Sequence, residues 1–188
     1  MGRSFGTGIA AGILATLLAA LAVWLMVTYT GAYDVSARDA HTDAVRWTFD
    51  TTLHRSVASR AEGIELPERS SQDLIAEGAG HYAESCVHCH GAPGEEPAGW
   101  SRGMRPEPPR LAEVAADWSA EEIYWIVENG LKMTGMPAFG PDHDGGELLA
   151  LAAFVSALPG LSAQDYATLT RRDGAGAALP GPAPTDEN

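Results

Sequence analysis

Hydrophobic residues fall along this chain in one long run followed by several shorter periodic stretches. From Ile9 to Tyr29 every position is apolar or small and none is charged, which at about 1.5 Å per residue gives roughly 30 Å, the thickness of a bilayer's hydrocarbon core. Trp24 and Tyr29 lie toward its C-terminal end, where amphipathic rings favour the membrane interface, and Arg3 lies on the other side. A cleaved signal peptide is the competing reading, because Ala20-Leu21-Ala22 offers a small-residue cleavage pattern. The apolar run continues through Val23, Trp24, Leu25, Met26 and Val27, further than an export segment requires. The pattern therefore predicts a transmembrane anchor over residues 1–31, in contact with lipid through residues 9–29.

Beyond the anchor the pattern becomes helical. Val45, Phe49, Leu53 and Val57 recur every four residues and give a segment over residues 32–69 one narrow apolar stripe. Such a stripe needs a cover, which could be the membrane surface, the following domain or a partner subunit contacting residues 34–69. Gly63 to Pro67 reads as a linker. Leu74, Ile75, Gly78, Ala79, Tyr82 and Cys86 then follow helical spacing, with Ser70 or Ser71 as the cap. Ser119 with Glu122 forms a capping box ahead of Ile123, Ile126 and Val127, and Gly130 is the stop signal. Asp144 with Glu147 opens a third helix whose apolar face is Leu148, Leu151, Ala152, Val155 and Leu158, ended by Pro159-Gly160. No convincing strand lies between them. The expectation is an all-α protein with a globular domain over residues 70–162 and a mostly irregular C-terminal tail over 163–188, extended or disordered from Asp173 onward.

Charge changes the picture in one respect. The chain carries a formal net charge of −13, which excludes nucleic acid as a partner, since phosphate binding needs clustered Lys and Arg. Residues 1–69 hold seven acidic and six basic side chains and residues 70–188 eighteen and six, so the part of the chain after the connector carries nearly all of the excess. Lys132 is the only lysine. An acidic docking surface for a basic partner and plain salt adaptation both account for this balance.

The candidate chemistry rests on the two cysteines. Cys86-Val87-His88-Cys89-His90 is a C-x-x-C-H motif, in which two thiols one short loop apart can form thioethers with the vinyl groups of a haem while the adjacent imidazole faces the iron. A thioredoxin-like redox pair would want a βαβ setting, and a zinc site would want further ligands. About 46 residues after His90, the Gly130–Gly140 segment is a Gly- and Pro-containing loop between two helices that carries Met133 and Met136. A methionine in a rigid loop is suited to present a thioether to the iron's sixth position, whereas a packing methionine more often sits in a helix stripe. Met136, directly before Pro137, is the first candidate, Met133 the second and Met104 the third.

With C-x-x-C-H paired to a downstream Gly-Met-Pro loop, residues Ser70 to Leu161 resemble the class I cytochromes c, in particular their membrane-tethered monohaem members. The resemblance implies a class I cytochrome c haem domain behind one transmembrane helix and a short helical connector. It implies one covalently bound haem c held through Cys86 and Cys89, with His90 and Met136 as iron ligands. It implies that the first and last helices of the domain cross through Gly78, Tyr82 and Phe154. In the family a proline carbonyl accepts the Nδ1 hydrogen of the axial histidine, and Pro109-Arg110-Leu111 resembles that element, so Pro109 and Leu111 join the haem-binding set; Pro108 and Pro93 are the alternatives. The run Gly94 to Pro108 departs from the shortest family members.

A His/Met pair favours ferrous iron relative to bis-His ligation and leaves no open position, which implies an electron carrier and not an enzyme. The expected partners are respiratory or photosynthetic membrane redox complexes or other electron-transfer proteins. The family attaches its haem outside the cytoplasmic membrane, which implies a single-pass inner-membrane protein with a periplasmic haem domain, acting as a tethered shuttle or as a fixed subunit. The rival is a haem enzyme or ligand-binding cytochrome with a displaceable sixth ligand. Trp118, Tyr124, Trp125 and Phe139 read as packing and not as electron relays, and His81, His88 and His143 as surface residues.

Overall fold

The structure, a computed structural model, describes residues 2–67 and 71–173, and every regular element among the described residues is helical. The chain divides between Asp39 and Ala40 into two compact units. The first is built on α1, Gly2–Thr30, whose stretch Phe5–Thr30 is long and apolar enough to cross a membrane. Its leucines point outward, Leu17 being 62 % exposed, as suits a helix whose solvent is hydrocarbon. The hydroxyls of Thr16, Thr28 and Thr30 bond back to the carbonyls of Gly12, Trp24 and Met26 at 3.0, 2.8 and 2.7 Å, so these polar groups do not demand water.

The second unit contains α2 (Asp43–Ala61), α3 (Gln72–Ser85), α4 (Val87–His90), α5 (Leu111–Val114), α6 (Ala120–Asn129), α7 (Gly145–Ala157) and α8 (Ala163–Asp173), joined by short 3-10 turns. Local chemistry sets their starts. Ser71 accepts from Leu74 N–H at 3.2 Å and so caps α3, while Ser70 lies outside the described residues. Ser119 and Glu122 exchange bonds of 3.2 and 2.9 Å at the start of α6. Asp144 and Glu147 do the same for α7 at 3.0 and 2.8 Å. Gly130 ends α6 with φ 63°, its N–H bonded to Ile126 O at 2.8 Å.

The core is the crossing of α3 over α7. A Cβ on Gly78 would overlap the carbonyl oxygen of Ala150 and come within 2.8 Å of Phe154 Cβ, so the backbones meet where no side chain fits. Tyr82 and Phe154, both fully buried, close the crossing with ring centroids 5.1 Å apart. Gly78→Ala should therefore force the helices apart and cost about 1–3 kcal/mol of stability, as overpacked cores do, measured as a lower denaturant midpoint.

Residues 163–173, the start of the stretch expected to be mostly irregular, are helical. They form α8, because Ser162 and Asp165 build a cap (Asp165 N–H to Ser162 Oγ 3.2 Å, Ser162 Oγ to Asp165 Oδ2 2.6 Å) and Tyr166 and Leu169 share one apolar face. Tyr166 is buried against Tyr82 and Phe154, at centroid distances of 6.5 and 6.2 Å, and burial pushes its hydroxyl up to about 12. The expected disorder of the last stretch falls on residues 174–188, outside the described residues.

The stripe on α2 is covered in part. Val57 and Ala61 are buried where α2 packs on α6, His54 stacks on Trp118 at 4.5 Å, and the Arg60 guanidinium lies 5.9 Å from the Trp125 ring centroid. Toward the N-terminal end of α2, Trp47 is 69 % and Phe49 45 % exposed.

Candidate functional site

The C-terminal end of α3 delivers the motif. Cys86 caps the helix, its N–H bonded to Tyr82 O at 2.9 Å, and its own carbonyl accepts from Cys89 and His90 at 3.1 and 3.0 Å. The two cysteines and the histidine thus occupy a single turn wound directly onto a helix whose inner face is buried. Tyr82 secures the far side of that turn, donating from its hydroxyl to Gly91 O at 2.6 Å. Both thiols are free and partly accessible. Burial, with the neighbouring Cys89 second, pushes the Cys86 thiol up to about 12, the reverse of what an attacking thiolate of a redox dithiol needs.

His90 is oriented from behind. Its Nδ1–H donates to Pro109 O at 2.7 Å, which leaves Nε2 with a free lone pair on the opposite side of the ring. Burial holds the imidazole below its ordinary range, against the opposing pull of the Pro109 bond, so the neutral donor form prevails. Of the three prolines weighed from sequence, Pro109 is the one bonded to His90. Glu96 holds Arg102 at 3.2 Å and Arg110 at 3.0 Å, fastening the 94–108 segment beside Pro109.

The loop after α6 is fixed by hydrogen bonds at both ends. Leu131 N–H bonds Met136 O at 3.2 Å, and Thr134 Oγ1 accepts from Met136 N–H at 3.1 Å while donating to Leu131 O at 2.7 Å. Phe139 and Gly140 then bond the carbonyls of Val127 and Glu128 at 3.1 and 3.0 Å. Within this frame Met136 is half-buried and packs, with Cys86 and Leu111, against the same core cluster. Met133, at φ 62°, is 79 % exposed. Met104 is half-buried. Thr134 was not singled out from sequence, although a threonine two residues before a candidate ligand is a recognisable side-chain-to-backbone turn signal.

This donor set fits a covalently attached haem: two free thiols and a neutral imidazole with one nitrogen committed and one free occupy one turn, and a thioether lies in a braced loop against the same core. Trp118, Tyr124 and Phe139 pack against that core as well. His88 is exposed, while His81 and His143 are partly buried. Their rings meet edge-on at 5.8 Å, because α3 and the residues before α7 lie side by side. Among the described residues no group of three or more His, Cys, Asp or Glu side chains is arranged to hold a metal ion.

Residues 73–155 match the family model described as cytochrome c oxidase, cbb3-type, subunit III. The matched span runs from the first turn of α3 to near the end of α7 and contains the whole motif and the methionine loop. A comparison with curated proteins returns no match.

Proposed function

Because residues 73–155 are a cytochrome c family domain preceded by one N-terminal apolar helix, we propose that this chain is an electron-transfer subunit of a membrane redox complex, working through a single His90/Met136-ligated haem c. The observation that carries the reading is the His90 Nδ1–Pro109 bond of 2.7 Å, on a histidine that directly follows two free thiols. Bound there, the haem supplies a one-electron couple. The protein would supply what surrounds it: Cys86 and Cys89 would attach the group, His90 and Met136 would ligate the iron, and the packed core would restrict water.

Subunit, and not free shuttle, is the better reading of α2. A shuttle needs a loose tether, whereas α2 is an ordered helix seated on α6 with Trp47 and Phe49 left exposed for a neighbouring chain. The matched family is itself described as an oxidase subunit. The anchor supports single-pass attachment, and in this reading the haem domain lies on the periplasmic side of the inner membrane. An acidic domain surface suits a basic donor, which would dock faster at low salt.

The test uses the full chain purified in mild detergent. Mass spectrometry should find one haem covalently added. The oxidised protein should show the weak far-red charge-transfer band of a thioether–ferric bond, carbon monoxide should bind slowly, and oxidase subunits should co-purify. Rapid carbon monoxide binding without the band would shift the reading to a ligand-binding haem protein.

A further inference from the structure

We propose that Met104 is a positioning residue for the sixth ligand, holding the Leu131–Met136 loop by seating its side chain in the notch left by Gly135; this rests on the Met136 ligation proposed above.

The backbone of Met104 is fixed on both sides. Its N–H bonds Ser101 O at 3.0 Å, and its carbonyl accepts from Arg105 Nη1 at 2.8 Å, a guanidinium that also bonds Arg102 O at 2.9 Å. Ser101 is buried and donates from Oγ to Ala98 O at 2.8 Å, and Ala98 N–H bonds His88 O at 2.9 Å, so the segment is tied to the C-x-x-C-H turn. From this base the Met104 side chain reaches the methionine loop. A Cβ on Gly135 would collide with the Met104 methyl and lie 3.5 Å from its sulfur. Gly135 does not have the positive φ that favours glycine, so what its missing side chain provides is room for Met104. Five residues further on, the Pro109 carbonyl accepts the hydrogen bond from His90 Nδ1–H. One short segment therefore touches both the loop that presents Met136 and the back of His90. A flexible thioether is suited to fill such a gap, and emptying it frees the loop to swing.

The experiment uses the haem-loaded full chain with Met104→Ala, Met104→Leu and Gly135→Ala, the last of which evicts Met104 without altering it. Covalent haem content should match the unmodified protein in all three. Met104→Ala and Gly135→Ala should weaken the far-red thioether band and speed imidazole binding to the ferric protein by roughly tenfold, through easier local opening. Met104→Leu, which fills the same space without sulfur, should restore both. Unchanged imidazole binding and an unchanged band in Met104→Ala overturn the proposal. A band that survives Met136→Ala and vanishes in Met104→Leu makes Met104 the ligand itself and overturns both readings. A missing band in the unmodified protein removes the ligation reading and this proposal with it.

Discussion

A Cys86→Ala/Cys89→Ala chain is expected to carry no covalent haem and to lose the folded stability of its second unit. The reason is both chemical and structural. The two thiols are the only cysteines of the chain, and both are free on the turn that ends α3. Much of the buried core is small: Ala79, Ala92, Ala115 and Ala152 stand beside Tyr82, Phe154 and Leu151. Such a core buries little apolar surface for each residue it orders, and a tightly held prosthetic group stabilises the native state by its binding free energy. That contribution is on the order of 4 kcal/mol or more when the group's effective concentration exceeds its dissociation constant a thousandfold. A domain of this size has only about 5–15 kcal/mol in total. Intact mass should equal the bare polypeptide, and the thermal transition should broaden and fall. Each single variant keeps one thiol and should retain haem at reduced yield. Wild-type melting in the double variant would show that attachment is not part of the fold's stability, and would favour a thiol-based role for the motif.

What could be read in advance follows from how local each signal is. The starts of α6 and α7 are written within four residues, because a serine or aspartate and a glutamate three positions on satisfy each other's backbone donors, and the structure has those bonds. The Gly78 crossing was legible only through the resemblance, since nothing near residue 78 announces that Ala150 lies against it. Helix α8 was missed because the Gly, Ala and Pro content of the C-terminal stretch, taken as a whole, hid a short cap and the Tyr166–Leu169 spacing at its beginning. Tyr166 is buried by Tyr82 and Phe154, which lie on α3 and α7. The covering of α2 was open for a similar reason: periodicity reveals a stripe but not its partner, and here the partner takes one end and leaves Trp47 and Phe49 exposed. At the site, residue types and spacing pointed to Cys86, Cys89, His90 and a methionine loop. The choice among three prolines needed a distance, and the contact of Met104 with Gly135 joins segments that no sequence pattern connects.

Met136→Ala is expected to leave the haem covalently bound while lowering its potential by on the order of 0.1 V or more, within the roughly 0.8 V span that axial ligation controls. A thioether is a weak, polarizable donor that favours ferrous over ferric iron, so its removal destabilises the reduced state more than the oxidised one. For a one-electron couple each tenfold change in that preference is about 59 mV, so the titrated shift measures directly how unequally the sulfur binds the two states. His90 should be undisturbed, because its orientation comes from Pro109 and not from the methionine loop. Redox titration, the far-red band and carbon monoxide binding should change together: lower potential, no band, faster binding. A lower potential would also reduce the driving force toward an acceptor, so electron transfer to the partner complex should slow even though docking residues are untouched. An unchanged potential would move the ligand to another methionine. Met133 would then have to turn inward from 79 % exposure at the tip of a hydrogen-bonded loop, whereas Met104 already lies against that loop at Gly135.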